Sequence, residues 1–189
     1  MSLNYIREYS MSSTEICDEI IELFKKHDRA GNTRPGQISR GVDKNTKDST
    51  DLVLGAIFDQ DPYARGLADR YMQVVKKCTM EYCDHFKLPI RGVNPETTPQ
   101  IQYYKPKGGY KEWHSDATFT GNQSRCLVYI TYLNDVPNGG TMFRDWKYTT
   151  KSAKGNTVIF PAFFTHVHKG QISKKHEKYI ITGWLHYTD

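Results

Sequence analysis

The chain has 189 residues, of which 38% are hydrophobic and 13% aromatic, and it carries a formal net charge of +5. This composition predicts one globular domain over residues 1–189 and excludes a second complete domain. The lysines are spread along the chain, without the clustering that binding to nucleic acid requires. Because neither an apolar run of about 18 residues nor a signal-like start occurs, we expect no membrane partner and a cytoplasmic location.

The first predicted element is a helix over Ser13–His27. Apolar residues recur there at helical spacing, and Ser12 with Glu15 matches a capping box at its start. A second amphipathic helix is predicted over Pro62–Phe86, because apolar residues repeat every three to four positions after an N-terminal proline.

The segment between these helices, Asp28–Ser49, is rich in glycine and polar residues. It predicts a loop with one short strand around Gly36–Val42. Loops of this length in a compact enzyme often form part of a substrate entrance. Arg144-Asp145-Trp146 is a second candidate for the entrance.

After residue 100 the pattern changes to short runs of β-branched and aromatic residues, separated by turns that contain glycine, asparagine or proline. Helices followed by many short strands indicate an α+β fold, with an antiparallel sandwich or barrel in the second half. The sequence thus divides into residues 1–99, with the supporting helices and first strands, and residues 100–189. The scattered cysteines predict reduced, buried thiols: Cys17, Cys78, Cys83 and Cys126.

His114 and Asp116 are the first candidates for a metal site. On a strand, side chains two positions apart share a face, so both can point at one ion. An Fe(II) site that reacts with O₂ uses two neutral imidazoles and one carboxylate, with the opposite side left open. A hydrogen-bonded surface pair is the alternative interpretation of this short motif.

Several further segments accompany this motif in a fixed order. They are Gln102-Tyr103-Tyr104 and Tyr110 before it, then Tyr132-Leu133-Asn134, Gly139-Gly140, Phe160-Pro161, His166, and Lys178 ahead of Trp184. Over residues 100–187 the chain resembles the prolyl 4-hydroxylase-like branch of the 2-oxoglutarate and Fe(II)-dependent dioxygenases. The resemblance implies a double-stranded β-helix (jelly-roll) core with the N-terminal helices packed on one sheet.

The resemblance also implies roles for individual residues. His114, Asp116 and His166 take the positions of the iron ligands; His168 remains an alternative to His166, since both have the same strand parity. Lys178 and Tyr104 take the positions that bind the far carboxylate of 2-oxoglutarate. Thr182 shares a strand face with Lys178, so it should share this task where a lysine replaces the more usual arginine.

The implied function is a non-haem dioxygenase that uses Fe(II), 2-oxoglutarate and O₂, with ascorbate as reductant. It would couple decarboxylation of 2-oxoglutarate to hydroxylation of a C–H bond. A prolyl residue of a peptide or protein is the leading substrate, ahead of a small molecule. The alternative is a cupin-like jelly-roll protein that binds metal without oxygenase activity, and such a protein has no use for Lys178 on an inner face.

Overall fold

The computed structural model describes residues 4–88, 93–95 and 99–187. Within these residues, helix α1 spans Glu15–Arg29 and helix α2 spans Pro62–Phe86. The strands are β1 (Arg7–Ser10), β2 (Arg34–Pro35), β3 (Lys47–Asp48), β4 (Thr50–Val53), β5 (Val93–Pro95), β6 (Gln100–Tyr104), β7 (Gly109–Tyr110), β8 (Arg125–Tyr132), β9 (Thr141–Phe143), β10 (Tyr148–Thr149), β11 (Asn156–Pro161), β12 (His168–Gly170) and β13 (Lys178–Tyr187). Short 3-10 turns lie at Leu54–Ile57, Thr120–Asn122 and Phe164–His166.

The main sheet is antiparallel and has the order β1-β11-β8-β13-β6-β4-β2, with β5 also paired to β13. Strands β8 and β13 lie at its centre and pair over most of their length, from Ile180 opposite Tyr132 to Leu185 opposite Leu127. Strands β1, β2 and β4 from the first half of the chain extend this sheet at both sides.

Alternation along the central strands gives the sheet two different faces. Tyr129 and Ile181 pack with the helices in one hydrophobic cluster, whereas Ile130 and Ile180 belong to a second cluster on the opposite face. Successive side chains of a strand point to opposite sides, so one strand can contribute to both clusters. The same alternation puts the even-numbered residues of β6 and β13 on the face away from the helices.

A smaller sheet of order β10-β9-β12 covers that second face. Phe143 of β9 contacts Phe160 of β11 edge to face, with ring centroids 4.8 Å apart. This arrangement of two facing antiparallel sheets, with helices on the outer side of the larger one, confirms the predicted α+β jelly roll.

Helix α2 has the bounds predicted from the sequence. Its N-cap residue Asp61 accepts a hydrogen bond from the backbone N–H of Tyr63 at 3.1 Å, and Pro62 occupies the first helical position. Two buried hydrogen bonds between hydroxyl groups link the helix to the sheet. Oη of Tyr71 lies 2.9 Å from Oγ1 of Thr131, and Oγ1 of Thr131 lies 2.7 Å from Oγ1 of Thr157.

Helix α1 begins later than predicted. Its N-cap is Thr14, without a side-chain capping bond, and Ser13 accepts a hydrogen bond from the N–H of Glu15 at 3.4 Å. The predicted capping box of Ser12 with Glu15 is therefore wrong, because the N-cap is Thr14, two residues after Ser12.

The predicted strand around Gly36–Val42 is also wrong. Ile38 and Gly41 form only a two-residue bridge, with reciprocal backbone hydrogen bonds of 2.9 Å. Gly41 has a φ of 102°, which turns the chain back on itself. The regular pairing lies on either side of this turn, in β2 and β3.

All four cysteines are free, and Cys17, Cys78 and Cys126 are buried. Burial raises the pKa of each of these three thiols to about 11, so they are protonated at neutral pH. Among the described residues, no helix is both long and apolar enough to cross a bilayer.

Candidate metal centre

Three metal-binding side chains converge between the two sheets. One ligand atom each from His114, Asp116 and His168 lies within 4.8 Å of the others. The backbone sets this geometry: His114 and His168 exchange hydrogen bonds of 3.0 and 2.8 Å, and the N–H of Asp116 donates to the carbonyl of Ala162 at 2.9 Å. His114 and Asp116 thus come from one segment of the chain, and β12 contributes His168.

Backbone contacts fix which nitrogen of each imidazole is available. The Nδ1 atoms of His114 and His168 lie 3.1 Å and 2.9 Å from the carbonyls of Glu112 and His166. Because a carbonyl can only accept, each Nδ1 must donate, which leaves both Nε2 atoms free to bind a metal.

The carboxylate of Asp116 is held in a similar way. Its Oδ1 accepts a hydrogen bond from Nε1 of Trp184 at 3.0 Å. Its Oδ2 is buried and has no hydrogen-bond partner within the part of the chain that the structure describes; it lies 3.5 Å from Nε2 of His168. A buried, unpaired carboxylate oxygen beside two free imidazole nitrogens fits a cation at this position.

The electrostatics of His114 agree with a metal-binding role. Burial, together with the neighbouring His168, lowers the pKa of His114 to about 4. The imidazole is therefore neutral at physiological pH, as a metal ligand must be. Tyr110 stacks on the His114 ring at 3.6 Å between centroids and fixes its plane.

His166, the third ligand predicted from the sequence, is not part of this group. It lies in the 3-10 turn at Phe164–His166, so the strand parity that it was expected to share with His168 does not apply. Its Nε2 lies 2.8 Å from the carbonyl of Asn4, and its Nδ1 lies 2.9 Å from Oγ1 of Thr165. The third member of the converging group is therefore His168, the alternative left open by the sequence, and not His166.

Lys178 lies deep in the same cavity, at the start of β13. Only 5% of the residue is exposed, and its Nζ donates to the carbonyls of Gly139 and Gln171 at 3.1 Å each. No carboxylate pairs with it among the described residues, and burial lowers its pKa to about 8. A buried ammonium without an anionic partner is suited to bind an anionic group of a ligand.

Tyr104 and Thr182 accompany Lys178 on the cavity wall. Nζ of Lys178 lies 5.0 Å from the centre of the Tyr104 ring, while the Tyr104 hydroxyl donates to Oε1 of Gln102 at 2.5 Å. The hydroxyl of Thr182 donates to the carbonyl of Tyr129 at 2.7 Å. Thr182 must therefore change its hydrogen bond before it can donate to a ligand.

The cavity has a volume of about 580 Å³, within the range of small-molecule sites. Every residue that the sequence predicted for the site lines it except His166. The entrance includes Gln37, Ile38 and Ser39, which places the predicted loop at the cavity, together with the exposed rings of Trp113 and Phe119.

Some assignments from sequence failed or were missed. Trp146 does not line the cavity: it stacks on His166 and donates to the carbonyl of Thr165. Sequence reasoning also missed that Trp184 holds the Asp116 carboxylate and stacks with Arg125, whose guanidinium lies 3.6 Å from the ring. The sequence signal for the position of Trp184 was its spacing from Lys178: the two residues are six positions apart on β13, so their side chains lie on the same face of the strand.

The sequence model of the 2OG-Fe(II) oxygenase superfamily matches residues 99–186, a range that contains His114, Asp116, His168 and Lys178. No curated protein has a sequence that matches the chain significantly.

Solved structures share its fold at low sequence identity. One is a prolyl-4-hydroxylase from Pseudomonas putida (TM-score 0.73, 16% identity, 97% of this chain and 93% of that chain). Another is a prolyl hydroxylase from Trichoplax adhaerens in complex with a hypoxia inducible factor peptide fragment (0.75, 17%, 97% and 84%). A third is the viral collagen prolyl hydroxylase of Paramecium Bursaria Chlorella virus-1 in a 2OG complex (0.67, 20%, 98% and 97%).

Proposed function

We propose that the chain is a member of the 2OG-Fe(II) oxygenase superfamily, whose sequence model matches residues 99–186, and that it is a 2-oxoglutarate-dependent dioxygenase that hydroxylates a prolyl residue of a peptide or protein. The observation that carries this proposal is the combination of the ligand set His114, Asp116 and His168 with the unpaired ammonium of Lys178 in one cavity. A metal-binding jelly roll without oxygenase activity needs only the first of these two features.

The three ligand side chains fit ferrous iron, since two neutral imidazoles and a carboxylate leave open positions on the metal. When bound, Fe(II), 2-oxoglutarate and O₂ supply the oxidising chemistry, with succinate and CO₂ as the co-products. The protein contributes orientation: the carbonyls of Glu112 and His166 aim the two Nε2 atoms, and Trp184 holds one oxygen of Asp116 while the other stays available.

Lys178 is the proposed anchor for the far carboxylate of 2-oxoglutarate. Its charge would be neutralised by that carboxylate, which compensates the burial that lowers its pKa in the ligand-free protein. Tyr104 and Thr182 are the proposed neutral partners of the same carboxylate, the first beside the ammonium and the second after its hydroxyl turns away from Tyr129.

The proposed substrate class rests on the entrance and on the related structures. Trp113 is 37% exposed and Phe119 is 54% exposed, and both line the cavity where a chain segment of a substrate can reach it. Aromatic rings at an entrance suit prolyl rings, which are rigid and apolar. Prolyl hydroxylases also share the fold along nearly the whole chain.

Ascorbate is the proposed reductant, because turnover without substrate oxidises the iron and a small soluble reductant would restore the ferrous state. A cytoplasmic location likewise stays a prediction.

The test is an anaerobic titration of the protein with Fe(II) and then 2-oxoglutarate, monitored by the weak visible charge-transfer absorbance of the chelate. We expect this absorbance in the natural protein, its loss in Asp116→Ala, and a large increase in the 2-oxoglutarate concentration needed in Lys178→Ala. A panel of proline-containing peptides, scored by succinate release, then tests the substrate class.

Two results would contradict the proposal. A folded protein that shows no absorbance with Fe(II) and 2-oxoglutarate is not an oxygenase of this type. If Lys178→Ala binds ligands as the natural protein does, the cupin-like alternative is favoured instead.

A further inference from the structure

A buried ion pair joins Lys47, which lines the cavity, to Asp51 behind it. Nζ of Lys47 is 2.6 Å from Oδ2 of Asp51, and only 5% and 4% of the two side chains are exposed. Ser49 donates to the other carboxylate oxygen of Asp51 at 2.7 Å. Asp51 belongs to β4 of the main sheet, whereas Lys47 lies at the end of the segment from the entrance.

This ion pair lies at the base of residues 36–46, which we name the entrance arm. The arm leaves the sheet at Gly36, whose N–H donates to the carbonyl of Ser49 at 2.9 Å, and it returns at Lys47. A Cβ on Gly36 would lie 2.1 Å from Oγ of Ser49 and 3.1 Å from Cε of Lys47. Both ends of the arm thus pack against the Lys47–Asp51 pair.

The arm lies between solvent and the cavity. Gln37, Ile38 and Ser39 line the cavity, and the Ile38–Gly41 turn forms the tip. At its base, Lys47 pairs with Tyr110, the residue that stacks on His114. A shift of the arm would therefore change the entrance first, while His168 and Lys178 belong to other strands, β12 and β13.

A buried ion pair contributes little net stability, because desolvation of the two charges offsets most of their attraction. It does impose one geometry, since a displaced partner would leave a buried charge unpaired. A directional contact of this kind suits a segment that must be held in a single position over a cavity.

We propose that the Lys47–Asp51 ion pair is a clasp that positions the entrance arm, and that it determines affinity for the substrate without contributing to iron or 2-oxoglutarate binding. This inference rests on the proposed function of the cavity. Lys47 and Asp51 are positioning residues in this scheme.

The test uses two variants and one control. Lys47→Met combined with Asp51→Leu removes both charges without leaving either unpaired. Gly36→Ala keeps both charges, but its added Cβ would displace the Ser49 hydroxyl that donates to Asp51 and crowd the Lys47 side chain, so it tests the same clasp by a different route. Lys105→Met is the control, because Lys105 makes only a 3.7 Å contact with Asp48 and its side chain is 60% exposed.

The first measurement is limited trypsin digestion, with cleavage after Arg40 and Lys44 of the arm followed by mass spectrometry. We expect cleavage about tenfold faster in both variants than in the natural protein and the control, because local opening governs proteolysis of a folded chain. Unchanged cleavage in both variants would overturn the clasp, whether or not the protein proves to be an oxygenase.

The second measurement is kinetic, with poly-L-proline as the probe. We expect KM for the probe to rise about tenfold while kcat changes little and the Fe(II)–2-oxoglutarate absorbance titrates as before. A parallel loss of 2-oxoglutarate affinity would overturn the proposal, since Lys47 would then serve the co-substrate. If the natural protein does not act on poly-L-proline, the proposed substrate class fails, and the digestion result alone supports or overturns the clasp.

Discussion

The buried charge of Lys178 should make the ligand-free protein less stable than a variant that lacks it. Burial lowers the pKa of Lys178 from 10.5 to about 8, which corresponds to about 3 kcal/mol of unfavourable free energy at pH 7. Lys178→Met removes this penalty but loses hydrogen bonds to two carbonyls, at about 1 kcal/mol each. The net expectation is a stabilisation of about 1 kcal/mol, or a rise in Tm of about 2–4 °C.

The pH dependence of this effect has a defined sign. The unfolded chain keeps the Lys178 proton up to about pH 10.5, whereas the folded protein releases it near pH 8. The penalty is therefore complete below pH 8 and declines as the pH rises from there towards 10.5. At pH 9 the natural protein should have regained about 1 kcal/mol, so the advantage of Lys178→Met should disappear.

The assay is thermal unfolding of metal-free protein at pH 7 and pH 9, with Lys105→Met as an exposed-lysine control. Lys178→Met should also fail to bind 2-oxoglutarate in the anaerobic titration, although it is folded. The reasoning is refuted if the variant is less stable than the natural protein at pH 7, or if the difference in unfolding free energy is the same at both pH values.

Four further predictions concern the site, the sheet and helix α2. His168→Ala should abolish Fe(II) binding in the anaerobic titration, whereas His166→Ala should retain it. His166→Ala should instead lower the unfolding free energy by about 1–3 kcal/mol, because it removes a contact to Asn4. Equal metal affinity in the two variants would contradict the corrected ligand set. Affinity for 2-oxoglutarate should be nearly constant below pH 7 and fall about fivefold from pH 8 to 9, as Lys178 loses its proton. Lys178→Arg, if it binds, should show no such decline in calorimetry. Gly183→Ala should destabilise the protein by about 1–3 kcal/mol, because the added Cβ would lie 2.2 Å from the hydroxyl of Tyr129. Gly66→Ala in helix α2, with nothing within 4 Å, should instead raise the unfolding free energy by about 0.5–1 kcal/mol in chemical denaturation.

The sequence predicted well those features that depend on local spacing. The bounds of helix α2 followed from the apolar repeat and from Pro62, and the packing confirms them. The alternation along β13 placed Lys178 and Thr182 on one face, and both line the cavity. In each case a single regular element, with a period of 3.6 or 2 residues, determined the answer.

Errors arose where the chain departs from a regular period. The comparison of His166 with His168 assumed one continuous strand, but a 3-10 turn ends at His166 and strand β12 begins at His168. Parity cannot be counted through such a turn. Ser12 was misplaced for a related reason, since helix α1 begins after Thr14 and no local signal distinguishes among three successive hydroxyl residues.

Other features depend on contacts distant in sequence. The hydrogen bond from Trp184 to Asp116 joins residues 68 positions apart, and the pairing of β3 with β7 brings Lys47 opposite Tyr110. These pairings cannot be predicted from composition. They become visible only when the order of strands in each sheet is known.

Strand β13 contributes side chains both to the cavity and to the cluster under the helices, and this limits which insertions and deletions the strand can accept. Lys178, Thr182 and Trp184 alternate with residues that pack under the helices. Insertion or deletion of one codon between Lys178 and Trp184 would turn one of these two residues towards the helices, separating the cation from the indole that holds Asp116. Changes in length should therefore be tolerated after Gln171 in the connection between β12 and β13, at residues 172–177, and rejected within the strand itself.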